Sequence, residues 1–157
     1  MATASASRVI AASLENLWDL IGDPHHLPRW WPRVERIEDV HDGAFTEVMK
    51  TKKGKVVRAD FQLLDADEAT RTLRWEQRVQ GTPFEQVLQS SLTEVRLQDI
   101  EGESTTRVII ELSQQLRRRQ SNALITGLAP RLGSYMVRRA ARSTIEQALD
   151  GLAQISG

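Results

Sequence analysis

Thr72-Leu73-Arg74-Trp75-Glu76-Gln77-Arg78-Val79 alternates at every step: Leu73, Trp75, Gln77 and Val79 fall on one side, Thr72, Arg74, Glu76 and Arg78 on the other. A repeat of two belongs to a strand, whose successive side chains point to opposite faces, and not to a helix. One face of this strand is dry and the other wet. The same alternation recurs in Val57, Ala59, Phe61 and Leu63, interleaved with Arg58, Asp60 and Gln62, and again in Val108, Ile110 and Leu112. Turn signals at Asp42-Gly43, Lys53-Gly54, Asp65-Ala66-Asp67, Gly81-Thr82-Pro83 and Glu101-Gly102-Glu103 divide residues 33–113 into about six strands joined as hairpins. Within 84–98 the apolar phase starts on Phe84 and Leu88 and later shifts to Val95 and Leu97, which predicts a bulge near 92–94.

Outward from this meander the period changes. Residues 8–12 form a short β-prone run, after which Ser13 and Asn16 open a helical pattern of Leu14, Leu17, Trp18 and Ile21 that stops at Gly22-Asp23-Pro24. The proline-rich and Trp-rich stretch 23–32 has room for at most a single helical turn and reads as an elbow. At the other end a helix is predicted from Ser121 onward, with Leu124, Leu128, Leu132, Tyr135, Met136, Ile145, Leu149 and Leu152 near one face and Pro130 bending or dividing it. An antiparallel sheet with one dry face needs a cover, and the C-terminal helix is the apolar element long enough to supply it. The expected architecture is α+β: a curved antiparallel sheet of about seven strands wrapped around a long C-terminal helix, with one or two short helices after the first strand.

The 157 residues, 40% hydrophobic and 27% charged, fit a single globular domain with one core, spanning 1–157. Without cysteine, thiolate catalysis and cysteine-ligated metal sites are excluded. The opening Met1 to Ser7 lacks the pattern of a signal peptide, and no stretch approaches the ~20 apolar residues of a membrane span, so a soluble cytoplasmic protein is expected. The net charge of zero is uneven: residues 113–157 carry seven Arg against Glu146 and Asp150. A solvated arginine face on a helix opposite an acidic sheet accounts for this, and no specific nucleic-acid partner is expected.

The opening Arg8-Val9-Ile10-Ala11-Ala12-Ser13-Leu14-Glu15-Asn16-Leu17-Trp18-Asp19-Leu20-Ile21-Gly22-Asp23, the step Pro28-Arg29-Trp30-Trp31-Pro32-Arg33-Val34, and Leu73-Arg74-Trp75-Glu76 resemble the START-like (SRPBCC) superfamily, which includes polyketide cyclase/dehydrase-like and lipid-transfer proteins. The resemblance covers essentially the whole chain and implies a helix-grip fold with an internal cavity. It implies functions from carriage of sterols, lipids and quinones to cyclisation, with no universal catalytic signature to carry over, so the function is sought in the cavity.

Residues expected to line that cavity are Phe61, Trp75, Phe84, Leu88, Leu132, Tyr135 and Met136, with Trp30 and Trp31 beside its mouth. Gln77 and Gln86 share the dry-face phase of their neighbours, and a buried amide must find a partner, either a ligand or another polar group of the protein. His25, His26 and His41 are the only histidines; they lack a His-x-x-x-His or similar companion pattern and read as surface loop residues rather than metal ligands. No Gly-x-Ser-x-Gly elbow or phosphate-binding glycine loop is present, so neither a serine triad nor a cofactor is indicated. The sequence points to a binder of a hydrophobic small molecule such as a lipid, quinone or polyketide. A cyclase/dehydratase-like enzyme using Tyr135, Gln77 or a loop histidine is one alternative, and a basic-helix adaptor for protein or RNA another; the oligomeric state, monomer or homodimer, stays open.

Overall fold

Strand β1 (Ala2–Ile10) starts the sheet, and its inward positions at the outset are only Ala2 and Ala4, side chains too small to mark a strand in the sequence, which is why the predicted run began at residue 8. The computed structural model describes residues 1–51, 53–100, 104–117 and 129–156, with side chains of the final helix from Tyr135. Helix α1 (Leu14–Gly22) is capped by Ser13, whose hydroxyl accepts the Asn16 N–H at 3.2 Å, and it buries Leu17 and Ile21. Asp23 ends α1 and caps the next turn, a 3₁₀ segment Pro24–His26 that runs into the four-residue α2 (Leu27–Trp30). The elbow therefore contains two short helical turns.

Six strands follow: β2 (Val34–His41), β3 (Ala44–Lys50), β4 (Val56–Asp67), β5 (Thr72–Gln77), β6 (Leu88–Ile100) and β7 (Thr105–Leu116). With β1 they form one curved seven-stranded antiparallel sheet in the order β1-β7-β6-β5-β4-β3-β2. Asp42 and Gly43, both at positive φ (48° and 79°), make the two-residue turn that closes β2 onto β3, a hairpin geometry matching the twist of the strands. The β5 alternation holds from Leu73 onward, with Leu73, Trp75 and Val79 buried and Arg74, Glu76 and Arg78 exposed, whereas Thr72, expected on the wet face, is buried.

Two predicted breaks lie elsewhere. Strand β4 passes through 65–67, absorbing a register shift between Leu63 and Asp65, and turns only after Asp67, whose carboxylate accepts the backbone N–H groups of Ala69 and Thr70. Residues 84–98 are not one strand: Pro83–Gln86 form a 3₁₀ turn with proline in its first position, and the phase change comes between Leu88 and Ser90 rather than at 92–94. The expected turn at 101–103 lies outside the described residues, as does the predicted helix over 121–128.

Helix α3 (Ala129–Ser156) carries Pro130 in its first described turn and packs on the concave face against β1 and β7, and on α2. Its buried stripe is Ala141, Ile145, Ala148, Leu149 and Leu152. Gly151 lies so close to α2 that a Cβ there would stand 2.3 Å from the Trp30 carbonyl oxygen, and Arg8 of β1 pairs with Asp150. Among the described residues no helix is long and apolar enough to cross a membrane.

Candidate functional site

The concave face carries, strand by strand, Phe45 (β3), Phe61 and Leu63 (β4), Leu73 and Trp75 (β5), Val95 and Leu97 (β6), and Val108, Ile110 and Leu112 (β7). On this face α1 and the elbow lean over β3–β5 and leave a cavity of about 190 Å³. Its wall is almost wholly apolar: Ile21 and Leu27 from the helices, Phe45, Leu63, Leu73 and Trp75 from the sheet. Such a lining recognises a ligand by area and shape.

The aromatic groups form two packed sets, three tryptophans and two phenylalanines. Trp30 and Trp31 meet edge to face with ring centroids 5.5 Å apart, Trp31 meets Trp75 edge to face at 6.5 Å, and Phe45 and Phe61 stack at 5.4 Å. Trp75, 5% exposed, lines the cavity directly; Trp31 backs it and Phe61 backs Phe45. Trp30 is buried against α3 instead of standing at a mouth, and its indole N–H has no partner among the described residues. Arg71, in the β4–β5 turn, ties α1 down by pairing with Glu15 at 2.5 Å and lying over the Trp18 ring.

Other sequence-predicted residues stand apart from this set. Gln77 sits one step along β5 from Trp75 on the same face, and its amide nitrogen is buried without a hydrogen-bond partner. Leu88 is buried at the start of β6 but pairs with Leu116, away from the cavity wall. Phe84 is half-buried on the 3₁₀ turn, and Gln86, expected on the dry face of a strand, is exposed there because the turn destroys the strand phase. Tyr135 and Met136, expected on the apolar face of α3, are 58% and 69% exposed, since the buried stripe lies on another side of the helix. The side chain of Leu132 lies outside the described residues.

The group the sequence reading missed is Glu47. It shares the concave face of β3 with Phe45 and Met49, is only 3% exposed, and pairs in register with Ala59 of β4 and Ile37 of β2. Among the described residues no cation lies within ion-pair distance. Burial raises its pKa from 4.5 to about 8, so at neutral pH it is mostly the uncharged acid, a hydrogen-bond donor. The spacing of Phe45, Glu47 and Met49 was a signal, masked because Thr46 and Val48 on the other face are buried too.

The histidines are engaged locally. Asp23 accepts both the backbone N–H of His25 and, at 3.0 Å, its ring nitrogen, contacts that hold the Asp23 carboxyl below its usual range, the backbone hydrogen bond most of all. His41 lies at the exposed end of β2 against the Asp39 carbonyl. Among the described residues no three His, Asp or Glu side chains converge as a metal site.

A sequence-family model described as polyketide cyclase/dehydrase and lipid transport matches residues 1–157. The chain belongs to this family. Structures similar to it include the Zhui aromatase/cyclase from Streptomyces sp. R1128, with a TM-score of 0.75 at 16% identity over 98% of this chain and 92% of that one. A START superfamily protein from Mycobacterium smegmatis gives 0.74 at 14% identity over 99% and 97%. The di-domain ARO/CYC BexL from the BE-7585A biosynthetic pathway gives 0.75 at 18%, over 98% of this chain and 46% of that one. At such identities these likenesses establish the START-like helix-grip fold alone. No curated protein matches the chain in sequence.

Proposed function

We propose that this family member binds an apolar small molecule in the cavity between β3–β5 and the α1–elbow segment, as a carrier or sequestering protein. The observation that carries the reading is the 190 Å³ cleft walled by Phe45, Leu63, Leu73 and Trp75, concave and almost wholly apolar. The whole chain, 1–157, serves as one ligand-binding domain. Trp75 is the principal wall residue, with Trp31 packed edge to face on it.

The probe is naphthalene, followed by calorimetry. Binding with a Kd of about 0.1 mM or tighter is expected for a two-ring hydrocarbon that fills such a space. Leu63→Trp, which occupies the space, is expected to abolish it, and Trp75→Ala, which widens it, to shift preference toward three-ring hydrocarbons. No binding by wild type, together with no apolar molecule co-purifying in native mass spectrometry, would overturn the reading.

A cyclase/dehydratase-type reaction is the second reading, favoured by Glu47: a buried acid that is uncharged near neutrality has the properties of a proton donor. For the basic C-terminal part the proposal is a solvated face. Arg138 and Arg139 are exposed and Arg142 pairs with Glu146 one helical turn away, an arrangement that suits solvent.

A further inference from the structure

Two pieces of chain cover the cavity, and they are fastened differently. The elbow is anchored on α3: Trp30 is buried, and its backbone lies against Gly151 too closely to admit a methyl group. Helix α1, which supplies Ile21 and Gly22 to the cavity wall, fully buries only Leu17 and Ile21 of its nine residues. So short a helix does not persist in water by itself, and tertiary contacts keep it in place. On its outer side those contacts come from one residue of the sheet. Arg71, in the β4–β5 turn, donates from Nη2 to the Glu15 carboxylate at 2.5 Å and lays its guanidinium over the Trp18 ring, 5.4 Å from the centroid.

The turn presents this side chain at a cost. Arg71 has a φ of 51°, a left-handed backbone that glycine or asparagine adopts more readily than arginine. The turn is closed by other groups: Asp67 accepts the N–H groups of Ala69 and Thr70, and the Arg71 carbonyl accepts the Leu97 N–H at 3.0 Å. Its geometry therefore asks for no arginine, whereas the contacts with α1 do. The hold is also releasable. Arg71 Nη1 is buried without a partner among the described residues and the Glu15 side chain is 68% exposed, so lifting α1 lets water reach both groups.

We propose that α1 is a lid and Arg71 its latch: α1 swings from the sheet between residues 11–12 and Gly22, admitting an apolar molecule while the elbow stays on α3, and Arg71 sets how often it does so. This rests on the cavity being a binding site and identifies its entrance. Residues 11–12 form a bend outside any helix or strand, and a Cβ at Gly22 would have nothing within 4 Å, so the chain has room to turn at both ends of α1. Opening uncovers only what α1 covers, because α2 remains on α3 and α3 on β1 and β7. A latch acts on the closed form whether or not a ligand is inside. Its loss therefore speeds entry and exit equally and leaves the equilibrium affinity almost unchanged.

The test uses the full chain in two parts. The first needs no ligand: hydrogen exchange of the amides of residues 17–22 in wild type, Arg71→Asn and Glu15→Gln, asparagine being chosen because it tolerates the left-handed backbone. One screened ion pair and one ring contact predict exchange about three- to tenfold faster in both variants, with the amides of β5 and α3 unchanged. Arg142→Gln, which breaks an ion pair on α3, is expected to leave the α1 amides at the wild-type rate. No acceleration, or an equal acceleration in α1, β5 and α3, overturns the latch, the second outcome because it marks a loss of global stability alone. The second part follows naphthalene by stopped-flow tryptophan fluorescence. Both variants are expected to bind and release it about three- to tenfold faster with Kd within about twofold of wild type, and added salt to bring wild type toward them. Faster α1 exchange with unchanged rates of entry and release overturns the lid while leaving the cavity in place. Failure of naphthalene to bind wild type overturns the cavity and its entrance together, and the exchange measurement then judges the latch by itself.

Discussion

Glu47 carries a consequence for stability that requires no ligand. Its pKa is about 8 in the folded chain against an ordinary 4.5, so between those values the folded state holds a proton that the unfolded state has released. Folding is then favoured by acid: this contribution is intact below pH 4.5, is lost progressively as pH rises toward 8, and is level above that, with a total of up to ~5 kcal/mol. Its register neighbours Ile37 and Ala59 carry no charge and the adjoining Phe45 and Met49 none either, so the slope belongs to Glu47. In urea unfolding from pH 5 to pH 9, Glu47→Gln is expected to be more stable than wild type by an amount that grows with pH and then levels. A difference constant across that range would show that burial does not perturb the carboxyl. The acidic groups with lowered pKa act in the opposite sense and at lower pH: the Asp23 carboxyl, held down by the His25 backbone N–H, contributes stability that is lost only as pH falls below the usual carboxylate range.

The contact of α2 with α3 depends on a missing side chain. A Cβ at Gly151 would lie 2.3 Å from the Trp30 oxygen and 2.9 Å from its Cα, and backbone atoms have no rotamer by which to yield. Gly151→Ala is therefore expected to lower stability by about 2–3 kcal/mol in chemical denaturation, whereas Gly22→Ala, with nothing within 4 Å of its added Cβ, is expected to leave it almost unchanged. Helix propensity alone favours alanine at both positions, so a loss confined to Gly151→Ala reads the close approach, and an unchanged or raised stability there would refute it. The sequence displayed the elements better than their mutual fit. Period-2 alternation over β4, β5 and β7 marked a sheet with one dry face, and Ser13 and Asp42-Gly43 marked a cap and a turn by local chemistry alone. Trp75 was legible as a cavity residue for the same reason. Trp30 was not legible as a packing residue, because its partner is a glycine 121 positions away that carries no apolar signal. Glu47 escaped because both faces of β3 are buried, which erases the contrast on which alternation depends. Tyr135 and Met136 were placed on the covered face of α3 by counting large apolar residues, yet two of the five buried positions of that stripe, Ala141 and Ala148, are alanines. The alanines share that stripe with Ile145, Leu149 and Leu152, while Tyr135 and Met136 stay outside it.

Covering the sheet is a property of the molecule as a whole. One core cluster joins Ala4 and Ile10 of β1, Val108, Ile110 and Leu112 of β7, Leu73 and Trp75 of β5, Leu17 and Ile21 of α1, and Ile145, Leu149 and Leu152 of α3, so no layer buries its apolar face alone. The division of labour across the concave face is uneven. Among the described residues α3 packs on β1 and β7, while α1 and the elbow lie over β3–β5, where the cavity is. Removing α3 should consequently be far more damaging than any single cavity substitution. A chain ending at Arg117 leaves Val108, Ile110 and Leu112 facing water along with their neighbours on β1, an apolar patch beyond what a soluble monomer tolerates. It is expected to lose its cooperative thermal transition, to bind a hydrophobic dye such as anilinonaphthalene sulfonate, and to aggregate in size-exclusion chromatography, whereas Trp75→Ala keeps a cooperative transition at a lower Tm. A truncated chain that stayed monomeric and melted cooperatively would mean that the curved sheet closes on itself and that α3 is an accessory to it.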